Sequence, residues 1–289
     1  RLSPMLSAGG KLLGDLSLAK LADNRYFIVG SASAQQAHTR HFAQYAEAYS
    51  DLHINNQSQQ LHGIAIAGKN ATALFNALTA NNTCPMRFME VREMTVGGVP
   101  ATVARVSFTG DCGYEIYCTA EYQLALYQAL NAAGAQFGLH PFGARALMAM
   151  RLEKNYGAWA LDYREDFTPL ESGLHQFVNA DKATAFVGKA AVLAEQKIGA
   201  PRKMVVLAIC GNDADCVGDE PIFKGAEIVG FVTSGGYGHT VEKSLAIAYI
   251  DSIALATGGD YAVEILGEQY PAALQPQAAY DPAGTKMRA

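Results

Sequence analysis

The pattern of the chain changes near residue 200. Before that point amphipathic helical segments alternate with short apolar strands. From Lys203 onward short strands separated by glycine turns follow one another, at 204–209, 227–232, 245–250 and 261–266. A mixed region followed by a run of strands predicts an α+β chain with a small C-terminal β-barrel or sandwich. With 289 residues the chain exceeds the usual size of one hydrophobic core, so we expect two or three subdomains.

The composition excludes several classes of function. The net charge is −5, and the Lys and Arg residues are scattered, so the sequence offers no basic surface for nucleic acid. The sequence also contains no run of eighteen apolar residues, which is the length needed to span a bilayer. The cysteines are Cys84, Cys112, Cys118, Cys210 and Cys216. None of them shows the close pairing typical of a zinc site. We therefore expect reduced thiols, no metal, and neither a nucleic-acid nor a membrane partner.

Upstream of residue 200 the periodicity predicts both kinds of element. Strands are predicted at 16–21, 26–29, 62–66, 101–108 and 115–118, and helices at 70–78, 119–133, 144–154 and 186–195. A further helix follows 26–29, with Ser33 and Gln36 as a capping box and His38 as a packing or surface residue. We divide the chain into an α/β subdomain (1–56), an α+β subdomain (57–195) and a C-terminal barrel (196–289).

Four motifs follow one another along the chain, and their order makes them far more specific than any single glycine pattern. They are Met-Leu with paired glycines and an acid before a strand at 4–16, Ser-Phe-Thr-Gly-Asp-Cys-Gly-Tyr-Glu-Ile at 107–116, the set Gly-Ala-Arg, Arg-Leu-Glu and Thr-Pro-Leu-Glu-Ser-Gly-Leu between 143 and 174, and Gly-Phe-Val-Thr-Ser-Gly-Gly-Tyr-Gly-His-Thr at 230–240. By itself, Ser234-Gly235-Gly236 predicts a tight barrel turn.

Together the motifs resemble the aminomethyltransferase (glycine-cleavage T-protein) superfamily. Segments 156–159 and 279–289 look most like its dimethylglycine and sarcosine dehydrogenase members. The resemblance implies a T-protein-like folate-binding fold, in which ferredoxin-like α/β subdomains surround a central cavity and a small β-barrel follows. The family domain starts upstream of the first motif, so we expect the first part of the folate domain to be missing from this chain.

The resemblance also implies the residues of a folate site. Asp15 falls on the second acid of the family's acidic pair, where it would act as base or electrostatic stabiliser, while Gly14 stands in place of the first acid. Glu115 corresponds to the glutamate that binds the pterin ring. Phe108 holds the place of an aromatic, usually Tyr, that lines the same pocket.

Each of these residues also has a plainer interpretation. One carboxylate can accept two parallel hydrogen bonds from the pterin edge, but Glu115 could equally alternate outward from an edge strand into solvent. Asp15 could be a turn residue after glycines. Arg145 or Arg151 could bind the folate tail or brace the pterin pocket, and their six-residue spacing allows one of them at most to reach the ligand.

The sequence is compatible with three functions. The first is transfer of a methylene unit to tetrahydrofolate from an N-methyl amine-derived iminium or aminomethyl donor, as the C-terminal part of a dimethylglycine or sarcosine dehydrogenase-like enzyme. The second is a glycine-cleavage aminomethyltransferase, which needs a lipoyl carrier protein. The third is a non-catalytic folate-binding module.

The cofactor and compartment follow from the first function. Tetrahydrofolate is the expected cofactor. FAD is expected only if a flavin domain lies on a missing N-terminal part, because no Gly-x-Gly-x-x-Gly occurs in the chain. The expected partners are a small amine-derived substrate and a flavoprotein domain or subunit. The expected compartment is the bacterial cytoplasm or the mitochondrial matrix.

Overall fold

The computed structural model describes residues 1–79, 85–211 and 214–289. Within these ranges the chain forms two open sheets and one closed barrel, with helices packed on them. Cys84 lies outside the described residues, and the other four cysteines are free thiols. In the same ranges no helix has the length and apolar character needed to cross a membrane.

The first sheet is antiparallel and has three strands. They are β1 (Leu2–Leu6), β2 (Leu12–Ala22) and β3 (Arg25–Val29), in that order. Residues 12, 14 and 16 of β2 are buried, whereas residues 13, 15 and 17 are not. This alternation is what a strand with one packed face requires. It also separates Gly14 from Asp15, because neighbouring residues of a strand point to opposite faces.

The helix after β3 begins differently from the sequence prediction. A 3-10 turn over Ala32–Ala34 precedes α1 (Gln35–Ala46), and Ala34 is the N-cap residue. The predicted capping box is wrong, because the extra turn moves the start of the helix beyond Ser33. His38 of α1 is buried, which is the packing role expected for it.

The second sheet is antiparallel, and two helices cover one of its faces. Its strand order is β4-β7-β6-β5, and the elements are β4 (Leu61–Ala67), α2 (Ala71–Leu78), β5 (Val91–Val96), β6 (Val99–Ala104), β7 (Gly113–Thr119) and α3 (Gln123–Gly134). Side chains from β7, α2 and α3 form its core, including Phe75, Ile116 and Leu126. The hairpin between β5 and β6 turns at Gly97 and Gly98, both with positive φ.

A long irregular segment joins this sheet to the barrel. It follows α4 (Ala144–Glu153) and ends at α5 (Lys189–Ile198). Its core residue Phe167 stacks on Tyr249, with the ring centroids 3.7 Å apart. The predicted boundary between 195 and 196 falls inside α5, and the boundary between 56 and 57 falls before β4; both boundaries stay predictions.

The C-terminal part is a closed barrel of six strands, which confirms the predicted β-barrel. The strand order is β10-β11-β8-β13-β12-β9, and the elements are β8 (Arg202–Ile209), β9 (Pro221–Lys224), β10 (Glu227–Gly238), β11 (Lys243–Asp251), α6 (Ser252–Ala256), β12 (Tyr261–Ile265), β13 (Glu268–Leu274) and α7 (Thr285–Arg288). Closure removes free strand edges, which suits a domain with few helices to cover them.

One glycine prediction in the barrel is wrong. Gly235 and Gly236 lie inside β10 and not in a tight turn. A Cβ at Gly235 would come within 2.5 Å of the carbonyl oxygen of Cys216. Glycine is needed there because another stretch of backbone passes close to the strand, which is the other use of a strand glycine.

Candidate functional site

A cleft lies between the first and the second sheet. Its cavity volume is about 40 Å³, and the space reaches about 400 Å³ when open solvent at its mouth is included. Apolar side chains from both sheets line it, including Phe27, Val29, Val91 and Ala104, and its charged lining residues are Arg1 and Glu115. The cleft thus combines largely apolar walls with a small number of polar groups.

Glu115 lies in the middle of β7, with its side chain in this cleft. Its neighbours Tyr114 and Ile116 are buried in the opposite face, against α2 and α3. β7 is an inner strand paired with β4 and β6, and the first sheet stands across the cleft. Glu115 therefore does not point outward from an edge strand into open solvent, which was the plainer interpretation of its pattern.

Tyr117 is the site residue that sequence reasoning missed. It lines the cleft two residues after Glu115, and its phenol donates a hydrogen bond to Oε2 of that glutamate. The signal was present in the sequence, because residues two apart on a strand share a face. Recognising Glu115 as a cleft residue would have placed Tyr117 beside it.

Asp15 lies on β2, on the strand face that also carries Ser17. Ser17 lines the cleft, and Asp15 precedes it by two residues, roughly 7 Å along the strand. Burial raises the pKa of Asp15 to about 6. In the described part of the chain no cationic side chain pairs with it. The structure thus turns Asp15 and Glu115 toward the same gap between sheets, with Asp15 beyond the residues that line the cleft itself.

Gly14 faces the other side of β2, toward α1. A Cβ at Gly14 would come within 2.6 Å of Nε2 of His38, and that nitrogen lies 2.9 Å from the carbonyl oxygen of Leu13. An acidic side chain at this position would meet the imidazole ring and not the cleft. The packing of His38 therefore explains why this chain carries glycine in place of a first acid.

Phe108 lies in the loop between β6 and β7. Its ring stacks against Tyr156, with centroids 6.3 Å apart and planes 13° apart. Tyr156 in turn contacts the sulfur of Met287 in α7 at 3.1 Å. Phe108 is not among the residues that line the cleft, so its contribution to a ligand pocket stays a prediction.

The two arginines of α4 face different directions, as their spacing predicts. Arg145 is exposed near the start of the helix. Arg151 is 1% exposed and donates to Oδ2 of Asp162 at 2.5 Å and to the carbonyl of Tyr156 at 3.0 Å. Because Arg151 is buried and paired within the protein, its position favours bracing over binding of a folate tail.

Asp162 joins α4 to the barrel, and sequence reasoning missed it. Besides Arg151, its carboxylate accepts hydrogen bonds from the hydroxyls of Thr233 and Ser234, at 2.5 and 2.6 Å, and from the backbone N–H of Ala158 at 2.9 Å. A buried carboxylate needs such partners. Two of them come from β10, some seventy residues away, so no local pattern could reveal the network.

The motif glutamates Glu153 and Glu171 have similar structural roles. Glu153 accepts from the backbone of Thr240 at 2.7 Å. Glu171 accepts from Lys11 at 3.3 Å and from Arg202 at 2.9 Å. These contacts connect α4, the irregular segment and the start of β2 to the barrel and its flanks, and neither glutamate lines the cleft.

A second groove lies on the far side of β4. Its cavity volume is about 750 Å³, or about 1730 Å³ with open solvent included, and its lining includes Ile64, Leu130, Leu139 and Leu147. None of the predicted site residues lines it. Its polar groups include Lys69 and His140, and no carboxylate is among them.

Comparison with known proteins shows the family and the fold of the chain. The family description "GCVT N-terminal domain" matches residues 1–182, and "Glycine cleavage T-protein C-terminal barrel domain" matches residues 202–281. A crystal structure of the glycine cleavage system aminomethyltransferase T from Bartonella henselae has the same fold, with a TM-score of 0.85 at 23% identity over 98% of this chain and 76% of that one.

Two curated relatives differ in how much of them the chain spans. Mitochondrial dimethylglycine dehydrogenase from Homo sapiens is 32% identical over 94% of this chain, but only 32% of the relative is covered. An aminomethyltransferase from Bacillus cereus is 29% identical over 96% of this chain and 75% of the relative. The chain thus spans about a third of the dehydrogenase it matches. With both family descriptions matched in order, this chain belongs to the aminomethyltransferase (glycine cleavage T-protein) family of enzymes.

Proposed function

We propose that this chain binds tetrahydrofolate in the cleft and transfers a one-carbon unit to it from an N-methyl amine-derived iminium or aminomethyl donor. One observation carries the proposal. Glu115 in the cleft and Asp15 beside it are carboxylates on strand faces turned to the same gap, and their surroundings differ. Two carboxylates in unlike surroundings can divide the tasks of ligand binding and proton transfer.

The residues that line the cleft match a pteridine ring in their chemistry. Apolar side chains such as Phe27 and Val91 provide walls for a flat ring, and Glu115 provides an acceptor. A carboxylate oxygen accepts strongly from the adjacent N–H groups of an amide-like edge. In the described residues Oε1 of Glu115 has no hydrogen-bond partner, so it is available to a ligand.

Asp15 supplies the proton chemistry. Tetrahydrofolate, when bound, supplies a nucleophilic amine that accepts the one-carbon unit. A proton must leave that amine, and a carboxylate with a pKa of about 6 is ionised at neutral pH and basic enough to receive it. Its negative charge also stabilises a cationic donor nearby.

We further propose that the chain works as part of a dimethylglycine dehydrogenase-like enzyme. The human dehydrogenase is 32% identical to it, and the chain covers 32% of that relative. A flavoprotein domain or subunit would then generate the donor, and FAD would lie there. On this proposal the compartment is the mitochondrial matrix in a eukaryote or the cytoplasm in a bacterium.

Calorimetric titration with tetrahydrofolate tests the proposal. We expect the wild type to bind, and Glu115→Ala to bind about 100-fold more weakly, because two hydrogen bonds to a charged group are lost. Glu268→Ala, the same change at an exposed position on β13, is the matched control and is expected to bind normally. A wild-type chain that binds no tetrahydrofolate, or a Glu115→Ala variant that binds like the control, would contradict the proposal.

A glycine-cleavage aminomethyltransferase is the second candidate. The Bacillus cereus relative, of which the chain covers 75%, favours it. This function requires a lipoyl carrier protein and releases ammonia. Ammonia release that depends on an added aminomethyl-lipoyl carrier supports this candidate, whereas product formation only with an oxidised N-methyl amine supports the first.

A non-catalytic folate-binding module is the third candidate. The variant Asp15→Asn distinguishes such a module from an enzyme. If the chain is an enzyme, methylenetetrahydrofolate production falls in this variant while folate still binds. If the module only binds folate, the change leaves both binding and product formation as they are in the wild type.

A further inference from the structure

Tyr117 lies beside Glu115 on the cleft face of β7. Its phenol oxygen donates a hydrogen bond to Oε2 of Glu115, and both side chains line the cleft. Among the described residues, no side chain or backbone group bonds to Oε1. The protein thus holds one carboxylate oxygen of Glu115 and leaves the other to a ligand.

The Tyr117 ring is confined from two sides. Phe27 of β3 meets it edge to face, with centroids 5.4 Å apart and planes at 71°. On β4, Gly63 pairs directly opposite Tyr117. A Cβ at Gly63 would lie 3.1 Å from Cε1 of the ring, closer than most such contacts. The ring has little room to move, so its oxygen stays at the carboxylate.

The phenol also keeps its proton. Burial, together with the charge of Glu115 and the hydrogen bond to it, raises the pKa of Tyr117 above its ordinary value. Tyr117 is therefore a neutral donor at physiological pH. A neutral donor orients the carboxylate and leaves its negative charge in place. The cationic partner of an ion pair would instead cancel that charge.

We propose that Tyr117 is a positioning residue for folate: it fixes the Glu115 carboxylate so that Oε1 meets the amide-like edge of the pterin. This inference rests on the proposed function. A carboxylate already held in its binding orientation loses less rotamer freedom when the ligand arrives, so affinity rises. Tyr117 acts through Glu115, and that dependence can be measured.

A double-mutant cycle tests the inference. Tetrahydrofolate is titrated into the wild type, Tyr117→Phe, Glu115→Ala and the double variant. We expect about a tenfold weaker affinity for Tyr117→Phe, from one hydrogen bond to a charged group, and no further loss when that change is added to Glu115→Ala. Equal losses in both backgrounds would mean that Tyr117 only packs, which would overturn the inference.

Two further variants keep the result clear. Tyr122→Phe, at an exposed position outside the cleft lining, is the matched control and should bind like the wild type. Gly63→Ala presses on the ring without removing the hydroxyl, and a smaller loss of affinity is expected. It decides the question if Tyr117→Phe does not fold. A wild type without affinity would end the folate proposal itself, whereas normal binding by Tyr117→Phe would end this inference alone.

Discussion

At the scale of single residues, the carboxylates of Asp15 and Glu115 face the gap between the first and second sheets, and their surroundings differ. Glu115 is held by the phenol of Tyr117. Asp15 is half-buried without a cationic partner in the described part of the chain, and its pKa rises to about 6. A shifted pKa of this kind is typical of groups that exchange protons during catalysis. The proposed function therefore assigns ligand binding to Glu115 and proton transfer to Asp15.

Replacing Asp15 separates these roles. In Asp15→Asn we expect methylenetetrahydrofolate production to fall by about 10²-fold or more, because general-base catalysis is lost. The calorimetric affinity for tetrahydrofolate should change little. In the wild type the rate should rise with pH through about 6, as Asp15 ionises. A wild-type rate that does not change between pH 5 and 7 would contradict the assignment.

The same pKa predicts how stability depends on pH. The folded-state pKa of about 6 lies above the ordinary value of 3.8, so the folded chain holds this proton more tightly than the unfolded chain. Asp15 therefore costs stability progressively as pH rises from about 4 to about 6. We expect Asp15→Asn to raise the Tm at pH 7 relative to the wild type and to change it less at pH 4. A destabilising effect at pH 7 would argue against a desolvated carboxylate.

Gly14 offers a prediction about packing. Because a Cβ there would come within 2.6 Å of His38, Gly14→Ala should lower the free energy of unfolding by about 1–3 kcal/mol in chemical denaturation. Adding His38→Ala should recover part of the Gly14→Ala effect, since the obstructing ring is gone. Strictly additive effects of the two changes would show that they do not meet.

At the scale of elements, buried polar contacts attach α4 and the irregular segment to the barrel. Asp162 receives hydrogen bonds from Arg151 of α4 and from Thr233 and Ser234 of β10. The motif residues that recur in these contacts lie outside the cleft. Their common role is to fix how the barrel packs on the rest of the chain.

Breaking this network from one side should be costly. Arg151→Met leaves the Asp162 charge buried without its cation, and we expect a loss of about 3–5 kcal/mol in the free energy of unfolding. The double variant Arg151→Met/Asp162→Asn removes the charge and keeps an acceptor for Thr233 and Ser234, so it should be more stable than the single one. Exposed Arg145→Met on the same helix is the control and should change stability by less than about 0.5 kcal/mol. A loss in Arg151→Met no larger than in the control would contradict the network.

The elements also show what local patterns can reveal. Short apolar runs and alternating apolar residues correctly predicted β3, β4, β7 and four of the six barrel strands, namely β8, β10, β11 and β12. The Ser33 capping box was wrong because a 3-10 turn precedes α1. The Gly235 turn was wrong because that glycine accommodates a close backbone contact inside β10. Both errors concern where an element starts or bends, which tertiary contacts decide.

At the scale of the whole molecule, the cleft is a product of the packing of two separate sheets. The motifs of the sequence identified the family, and they correctly placed Glu115 on a strand. They could not show that Arg151 forms a buried ion pair with Asp162 or that Tyr117 donates a hydrogen bond to Glu115. These contacts depend on how the elements pack in three dimensions. The larger groove beside β4 was likewise invisible to sequence patterns.

A direct test of the central claim distinguishes the cleft from the groove beside β4. A crystal structure of this chain with tetrahydrofolate should show the pteridine in the cleft between the two sheets, with its amide-like edge at Oε1 of Glu115 and Asp15 facing its amine. Pteridine density in the groove beside β4, or a bound ligand that does not touch Glu115, would contradict the claim.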